Sequence, residues 1–384
     1  MKDIIPFHRT ARGHKEEEYV ATALAGANLS SDGYFSKKCE KWLEEKAGCK
    51  KVFLTPSASS ALELAAIVSG IEAGNEFIVP SFTFPSTANA FIQRGAVPVF
   101  IDVREDNLCM DEDLIRGAIT EKTKAIVPVH YGGFAANMEK ICAIAHEHGL
   151  IVIEDAAQSL LSTYKGKHPG TFGAMSCLSF HDTKNIGCGE GGALLINDSR
   201  LIEKAEILRN FGTNRAKFLR GEIDSYHWMA PGSSFMQGEL AAACLMARLE
   251  EAHIITEKRV KAWEYYFSKL KKAEEKGFFR IVHNFIDSVY NGHIFALILK
   301  KNEQQSQLIN FLKEKAVEAK SHYIPLHETP YGKKTSRVES SLKVTEKAGS
   351  SLVRLPLWSG ISQIEQDKVI KEIFNFFDLR LKKN

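Results

Sequence analysis

The sequence lacks the features of several large protein classes. No apolar run approaches the roughly 20 residues that a membrane-spanning helix needs, and the opening MKDIIPFHRTARGHKEEEY contains no signal-peptide pattern. Lysine and arginine number 50 against 47 aspartates and glutamates, and this weak, scattered excess argues against nucleic-acid binding. We therefore expect a soluble protein of the cytoplasm, with no nucleic-acid partner and no membrane association.

The seven cysteines form no C-x-x-C pair. An odd number in this spacing predicts neither a disulfide framework nor a zinc site, so no metal is expected. No repeat of fixed period occurs, which excludes solenoids and propellers. What is present is an average share of apolar and charged residues over 384 positions, enough for one large core and a second, smaller one.

Seven short β-rich runs alternate with helical patterns between residues 50 and 200. The runs are KVFLTP, EFIVPS, VPVFID, AIVPVHY, LIVIEDA, SCLSFHD and GALLIND. This alternation is typical of a parallel sheet covered by helices on both faces. The sequence therefore predicts an α/β fold with a large domain built on seven strands.

The pattern changes after GSSFMQGEL. One long helical stretch over residues 239–276 predicts a spine between two domains. Beyond it, the strands FRIVHN, HIFALILK and HYIPL, the helix QSQLINFLKEKAVEA and a final helix with a Ser362–Glu365 capping box predict a small α+β domain. We place the boundary on the long helix, with a large domain over residues 1–250 and a small domain over 251–384.

Ligands of open parallel sheets bind beyond the carboxyl ends of the strands, so the polar residues there are the candidates for a site. In TPSASSALELAA, Ser57, Ser59 and Ser60 precede a helix whose free N–H groups favour a phosphate. The simpler alternative is a serine that only caps the helix. Phe82 and Phe84 follow the next strand, either as core residues or as a stacking surface for a flat ligand.

A carboxylate and a lysine complete this edge. Glu154 and Asp155 end an apolar strand, where a buried carboxylate needs a cationic partner, and the sequence nearby is poor in metal ligands. Lys184 follows the strand SCLSFHD, and a partly desolvated lysine can form a Schiff base, although most single lysines are solvated. A phosphate site, a stacking ring, a carboxylate and a lysine together are the groups that pyridoxal 5'-phosphate requires.

Six motifs carry a family resemblance along nearly the whole chain. TPSASSALELAA, PSFTFPSTANAF, KAIVPVHYGG, VIEDAAQS, SFHDTKNIGCGEGG and HYIPLH resemble, in this order, the DegT, DnrJ and StrS family of nucleotide-sugar aminotransferases. The resemblance implies a fold-type I aminotransferase with a seven-stranded, mostly parallel sheet in its large domain and a small α+β C-terminal domain. It also implies a homodimer with active sites at the subunit interface.

The resemblance further implies a reaction. The amino group of L-glutamate would pass, through pyridoxal 5'-phosphate, to the C4 ketone of TDP-4-keto-6-deoxy-D-glucose. The product would be TDP-4-amino-4,6-dideoxygalactose, a precursor of surface polysaccharides. GTNRAKFLRGEIDSYHW and SFHDTKN resemble this substrate branch of the family.

The same resemblance implies roles for individual residues. Lys184 would bond to the cofactor aldehyde and move protons, and Asp155 would keep the pyridine nitrogen protonated. The other implied cofactor contacts are Ala58, Ser59, Ser60 and Ser179 at the phosphate, Phe84 on one ring face, and Gln158 on the ring face or phenolic oxygen. The implied substrate contacts are Asn185, Arg215, Arg220, His322, Tyr323 and His327. A buried packing pair for His322 and Tyr323, and a solvated surface for the two arginines, are the alternatives.

Three other functions stay open. A sugar 3-dehydratase of the same fold carries histidine at the lysine position, and Lys184 argues against it. An aminotransferase acting on a C3 ketone or on a UDP-linked sugar is not distinguished by the sequence. A non-catalytic cofactor-binding regulator is the third alternative, against which the intact lysine, aspartate and serines argue.

Overall fold

The computed structural model describes residues 4–26, 28–339 and 341–377. The outer ends of the two predicted domains, residues 1–3 and 378–384, lie outside the described residues. No helix within the described ranges is both long and apolar enough to cross a membrane.

Strands form three sheets in the described chain. In chain order they are β1 (Lys51–Thr55), β2 (Glu76–Pro80), β3 (Val97–Ile101), β4 (Thr123–Ile126), β5 (Ile151–Asp155), β6 (Thr163–Tyr164), β7 (Met175–Ser179), β8 (Gly192–Ile196), β9 (Phe279–Ile281), β10 (Ser288–Val289), β11 (Phe295–Leu299), β12 (Arg337–Val338) and β13 (Leu352–Leu355). The large sheet has the order β1-β8-β7-β5-β4-β2-β3-β12, and β8 alone runs antiparallel to its neighbours among these described strands. The predicted α/β fold with a mostly parallel sheet is confirmed.

Helices cover both faces of this sheet. In chain order the α-helices are α1 (Glu16–Ala25), α2 (Tyr34–Ala47), α3 (Ala58–Ser69), α4 (Pro85–Ile92), α5 (Ile115–Ala118), α6 (Met138–Glu147), α7 (Ile202–Arg209), α8 (Arg215–Leu219), α9 (Glu239–Glu250), α10 (Ala252–Glu275), α11 (Gln304–Glu314), α12 (Pro330–Thr335), α13 (Lys343–Ser351) and α14 (Gln363–Phe376). Phe53 and Leu194 pack towards α3 on one face, while Leu54 and Leu195 pack towards α2 and α9 on the other. Successive side chains of a strand point to opposite faces, so a sheet buried on both faces needs the continuous apolar runs seen here.

A second, antiparallel sheet of three strands has the order β13-β11-β9. It packs with α10, α11, α13 and α14 in a core that also contains Trp263 and Tyr266. The capping box at the start of α14 is confirmed, since Ser362 and Glu365 exchange both bonds. The chain also crosses the predicted domain boundary in both directions: β12 joins the large sheet, and the backbone of Ile5 bonds to Ala316. The boundary at residue 250 stays a prediction.

Three predicted elements differ from the structure. The long helix is two helices, because Glu251 leaves helical geometry with φ −102° and ψ 5°. The predicted strand HYIPL is irregular and leads into a short 3-10 turn at Leu326–Glu328, since Pro325 has no N–H for a ladder and no neighbouring strand pairs with it among the described residues. Helix α11 stops at Glu314, and Ala316 beyond it has φ +59°.

Candidate active site

A cavity of about 730 Å³ opens where strands of the large sheet end. Asp155 ends β5 and Ser179 ends β7, while Phe84 follows β2. The predicted residues that line this cavity are Ala58, Ser59, Phe84, Asp155, Gln158, Ser179, Lys184, His322 and Tyr323. The fold therefore brings nine residues that are far apart in the sequence to one cavity, at the sheet edge where ligands of parallel sheets bind.

The serine cluster combines a helix cap with an open cup. Ser57 is the N-cap of α3, and its hydroxyl accepts a bond from the Ser60 N–H at 3.1 Å. Ser60 is thereby used within the cap and does not line the cavity. Ala58 and Ser59 do line it, and their first-turn N–H groups have no partner within the helix. The cup thus presents backbone donors at the positive end of the helix dipole.

Gly192, the first residue of β8, controls how close this cup lies to the lysine-bearing loop. A Cβ atom there would lie 2.3 Å from the carbonyl carbon of Ser57 and 2.4 Å from the nitrogen of Ala58. These are backbone atoms, which cannot move aside without shifting α3. Only glycine therefore lets β8 pass directly against the first turn of α3.

Asp155 presents its carboxylate to the cavity. Its Oδ2 atom accepts a hydrogen bond from the Thr87 hydroxyl at 2.7 Å, and Oδ1 accepts one from the Ala157 N–H at 3.1 Å. Thr87 lies in the first turn of α4 and its Oγ1 is 2.8 Å from that of Thr83. We did not predict Thr87 from the sequence, although it lies three residues after Phe84 at the same sheet edge. The two bonds orient the carboxylate, which forms no ion pair with a cationic side chain among the described residues.

Glu154, the neighbour of Asp155, points to the opposite face of the sheet and has a structural role. It is fully buried, and its two carboxylate oxygens accept four bonds of 2.7 to 2.9 Å. The donors are His130 Nε2 and the N–H groups of Gly170, Phe172 and Gly173. The turn that precedes β7 is therefore attached to β5 through one side chain.

We expect Glu154→Gln to lower the free energy of unfolding by about 3 kcal/mol, because the amide nitrogen would face N–H donors and leave them unpaired. Urea denaturation of the purified protein measures the change. Glu147→Gln is the control, since Glu147 lies on the surface in a pair with Arg116. A Glu154→Gln protein as stable as this control would contradict the assignment.

Lys184 lies in the irregular loop between β7 and β8, with its side chain in the cavity. Removal from solvent lowers the pKa of its ammonium group to about 8, with Asp155 opposing and Arg354 adding to the decrease. A substantial fraction of the amine is thus neutral near physiological pH, the state in which a lysine is a nucleophile. The cavity therefore contains a reactive amine, a carboxylate and the N-terminus of a helix.

A model of the DegT/DnrJ/EryC1/StrS aminotransferase family matches residues 11–374. The chain belongs to this family. A pleiotropic regulatory protein of Geobacillus stearothermophilus is 33% identical over 90% of each chain, and a GDP-perosamine synthase of Caulobacter vibrioides is 30% identical over 92% of this chain and 93% of its own. The crystal structure of a family aminotransferase from Brucella abortus has a TM-score of 0.86 and 28% identity over 94% of this chain and 95% of that one.

Family membership makes the protein a pyridoxal-phosphate-dependent aminotransferase, which confirms the predicted fold type, enzyme class and cofactor. When bound, the cofactor supplies an aldehyde for the amino group and an electron-withdrawing ring. The cavity fits it: Ala58 and Ser59 offer donors for the phosphate, and Asp155 offers a negative charge for the ring nitrogen. The reactive amine belongs to Lys184. Enzymes of this family use an amino donor and a keto sugar.

The loop that carries Lys184 is attached to the aminotransferase core through Arg248 on α9. This buried guanidinium donates to the Gly187 carbonyl at 2.6 Å, lies 3.5 Å from Asp182 Oδ1, and pairs with Glu16 at 2.6 Å. The N-terminal segment adds His8, whose Nε2 is 2.9 Å from the Asp182 carbonyl. Asp182 thus has a structural role in holding this loop.

His322 and Tyr323 close the cavity from the side of the small sheet. The Tyr323 hydroxyl accepts a bond from Gln158 Nε2 at 2.9 Å, and His322 Nδ1 is 2.7 Å from the Tyr131 hydroxyl. Their rings stack with centroids 3.7 Å apart. Gln158 also accepts a bond from the Gly132 N–H, which orients its amide. His322 and Tyr323 therefore pack against their neighbours and also line the cavity. A packing role does not exclude substrate contact, which stays a prediction for both residues.

Five of the predicted residues do not line the cavity of this subunit: Ser60, Asn185, Arg215, Arg220 and His327. The Asn185 amide donates to the Asn291 carbonyl at 2.8 Å and faces His293 Nδ1 at 2.9 Å. Arg220 pairs with Glu206 and Glu222 on the surface, and His327 Nδ1 lies 2.8 Å from the Ser81 hydroxyl. Existing partners account for the positions of Ser60, Asn185, Arg220 and His327. The phosphate role of Ser60 and the substrate roles of the other four residues stay predictions.

Three cationic residues of the cavity were not predicted from the sequence: Arg259 on α10, Lys320, and Arg354 on β13. Arg354 could have been recognised as a candidate site residue, because it is a single charge inside the apolar run LVRLPL. Arg259 could not, since it lies in a helix rich in lysine and glutamate.

Proposed function

We propose that this aminotransferase moves the amino group of L-glutamate to the C4 ketone of TDP-4-keto-6-deoxy-D-glucose, giving TDP-4-amino-4,6-dideoxygalactose. The single observation that carries the transfer chemistry is Lys184 with a pKa near 8 in the same cavity as the Asp155 carboxylate. GTNRAKFLRGEIDSYHW and SFHDTKN support the choice of sugar by their resemblance to that branch.

The proposed roles of the side chains follow from their contacts. Lys184 holds and moves the proton at its Nζ atom, and Asp155, oriented by Thr87, supplies the negative charge for a protonated ring nitrogen. Ala58, Ser59 and Ser179 hold the phosphate at the cup. Phe84 is 57% exposed at the mouth of the cavity, so its ring is available for stacking, whereas Phe82 is buried against Tyr131 and belongs to the core.

We also propose a homodimer. The exposed segment 211–229 displays apolar side chains that a monomer would leave in water, among them Leu219, Trp228 and Met229, with Trp228 77% exposed. Arg215 and Arg220 lie in this segment, so a second copy covering it would bring their predicted phosphate contacts to a neighbouring cavity. Analytical ultracentrifugation tests the dimer, and Trp228→Ser is expected to weaken it. A wild-type protein that stays monomeric at micromolar concentration would contradict it.

A GDP-linked keto sugar is the second candidate substrate, favoured by the 30% identity to a protein named GDP-perosamine synthase. A UDP-linked sugar or a C3 ketone are the remaining alternatives for the same chemistry. The regulator alternative is represented by the relative from Geobacillus stearothermophilus.

In the deciding experiment, the protein saturated with pyridoxal 5'-phosphate is incubated with L-glutamate and one keto sugar. Separate reactions contain the TDP-, UDP- or GDP-linked 4-keto-6-deoxy sugar, and NMR identifies the products. We expect an axial C4 amine from the TDP-linked sugar and the highest kcat/KM with it. Turnover only with another nucleotide, or an equatorial amine, would contradict the proposed substrate. No amino sugar in any reaction would favour the regulator.

A further inference from the structure

A short segment before β11, residues 291–293, is bonded to two loops of the large sheet. The Asn291 side chain donates through Nδ2 to the carbonyls of Gln158 and Leu160 at 2.8 and 2.9 Å, in the turn after β5. The Asn291 carbonyl accepts a bond of 2.8 Å from the Asn185 amide, in the loop between β7 and β8. One segment therefore connects the loop that carries the proposed lysine to the loop that follows the proposed carboxylate.

The backbone of this segment is fixed against α10. Gly292 has φ +62°, and a Cβ atom there would lie 2.7 Å from the carbonyl carbon of Arg259. The Arg259 guanidinium donates to the carbonyls of Gly292 and His293 at 3.1 and 2.7 Å. The N–H of His293 in turn donates to Asn291 Oδ1 at 3.1 Å. The His293 side chain is therefore held on a rigid backbone, where it is 8% exposed and lines the cavity.

The hydrogen bond between His293 and Asn185 has a defined direction. Because Asn185 Nδ2 donates to the Asn291 carbonyl, its Oδ1 atom is the one that faces His293 Nδ1 at 2.9 Å. An amide oxygen only accepts, so the imidazole carries a proton on Nδ1. Burial lowers the pKa of His293 well below its ordinary value, and the charges of Lys184 and Arg259 add to the decrease. The ring is therefore neutral, with Nδ1 as its donor.

We propose that His293 is a positioning residue for Lys184, because its Nδ1–H group holds Asn185 and thereby fixes the neighbouring lysine inside the cavity. The loop between β7 and β8 is irregular, so individual side-chain contacts set the place of Lys184 within it. Asn185 itself is 5% exposed and faces two groups of the rigid segment. The inference rests on the proposed function for the role of the lysine.

Asparagine and glutamine at position 293 separate the two ring nitrogens in a test. The amide nitrogen of an asparagine lies close to the place of a histidine Nδ1, whereas the longer glutamine carries its amide nitrogen close to the place of Nε2. His293→Asn therefore keeps the donor to Asn185, and His293→Gln displaces it. Both substitutions remove the imidazole ring, so the loss of ring packing is common to the two variants.

The first readout is the pH dependence with which an amine reagent modifies Lys184 in the full-length, cofactor-free protein, located by peptide mass spectrometry. Burial lowers the pKa of Lys184 to about 8, with Asp155 raising it and Arg354 lowering it. His293 is neutral, so its replacement removes no charge from these groups, and a changed pKa reports a changed position. We expect wild type and His293→Asn to agree, and His293→Gln to titrate about one unit or more higher, towards the ordinary lysine value of about 10.4.

The second readout is amino transfer by the holoenzyme. A displaced amine should lower kcat about 10- to 100-fold in His293→Gln and leave KM for the keto sugar little changed, while His293→Asn should keep most of the rate. Asn185→Ala combined with His293→Gln should be no slower than the slower single variant, because both remove the same contact. The matched control is the pair His283→Asn and His283→Gln, since His283 packs against Phe267 and Phe285 and does not line the cavity.

Several results would overturn the proposal. Equal behaviour of His293→Asn and His293→Gln would assign the effect to the ring, and a loss confined to His293→Asn would contradict a role of the Nδ1 donor. Additive losses in the double variant would show that His293 does not act through Asn185. If no keto sugar is aminated but the pKa of Lys184 still rises in His293→Gln alone, the proposed function fails and the positioning role stands. If the sugar is aminated and the two variants agree, only the positioning role fails.

Discussion

Lys184→Ala is expected to lower amino transfer by about 10³-fold or more, because the proton-moving amine beside Asp155 would be lost. The measurement is product formation from L-glutamate and the keto sugar by the loaded enzyme. Borohydride treatment followed by peptide mass spectrometry is the second readout. The wild type should retain cofactor mass on the peptide containing Lys184, and the variant should retain none.

Cofactor binding itself should survive this substitution. The cup at Ala58 and Ser59 is built from the first turn of α3 and does not depend on the lysine. Equilibrium dialysis of pyridoxal phosphate against the variant therefore separates lost chemistry from lost folding. Lys165→Ala is the control, because Lys165 is exposed and paired with Glu139. Undiminished product from the Lys184 variant, or cofactor fixed to another lysine, would contradict the assignment.

Asp155→Asn is expected to lower the rate about 10²- to 10³-fold. Asparagine keeps the shape of the side chain, and its one oxygen can still accept the Ala157 bond while its amide nitrogen donates to the Thr87 hydroxyl, but it removes the negative charge that stabilises a protonated ring nitrogen. The measurement is kcat for amino transfer. Thr87→Val is the matched variant, since it removes the orienting bond and leaves the charge, and we expect a much smaller loss.

The same substitution has a consequence for Lys184 in the cofactor-free protein. Asp155 raises the pKa of Lys184 against the lowering effect of burial, so its removal should move that pKa below about 8. More of the amine is then neutral at pH 7, and its modification by an amine reagent should begin at lower pH. An unchanged pH profile of modification, or equal losses of rate in Asp155→Asn and Thr87→Val, would contradict a role of the charge.

Much of the fold could be predicted because its signals are local. Seven of the eight strands of the large sheet were recognisable as apolar runs, since a strand buried on both faces cannot alternate with polar residues, whereas the two-residue edge strand β12 was not. The capping box at Ser362 was recognisable because its two partners are three residues apart. The strand HYIPL was not predicted correctly, because pairing requires a neighbouring strand, and the sequence does not say which edges are free.

The residues of the site also divide into those with a local sequence signal and those whose role depends on distant contacts. Asp155, Lys184 and the serines were predicted because each lies at or shortly after the end of a strand, and the ends of parallel strands meet at one edge. Ser57 and Ser60 could not be separated, since which hydroxyl caps the helix depends on backbone geometry at its first turn. Thr87 acquires its role only through contact with a carboxylate 68 positions further along the chain.

By itself, then, the sequence determined the order of the elements and the chemical types at the strand ends, including the amine, the carboxylate and the phosphate-binding turn. Only the tertiary structure decided their environments. Arg259 and Arg354 are ordinary cations in the sequence, and that neither has a carboxylate partner among the described residues depends on which distant groups fold around them. The lowered pKa of Lys184 has the same origin, because solvent exclusion and the field of neighbouring charges arise from contacts between segments that the chain keeps far apart.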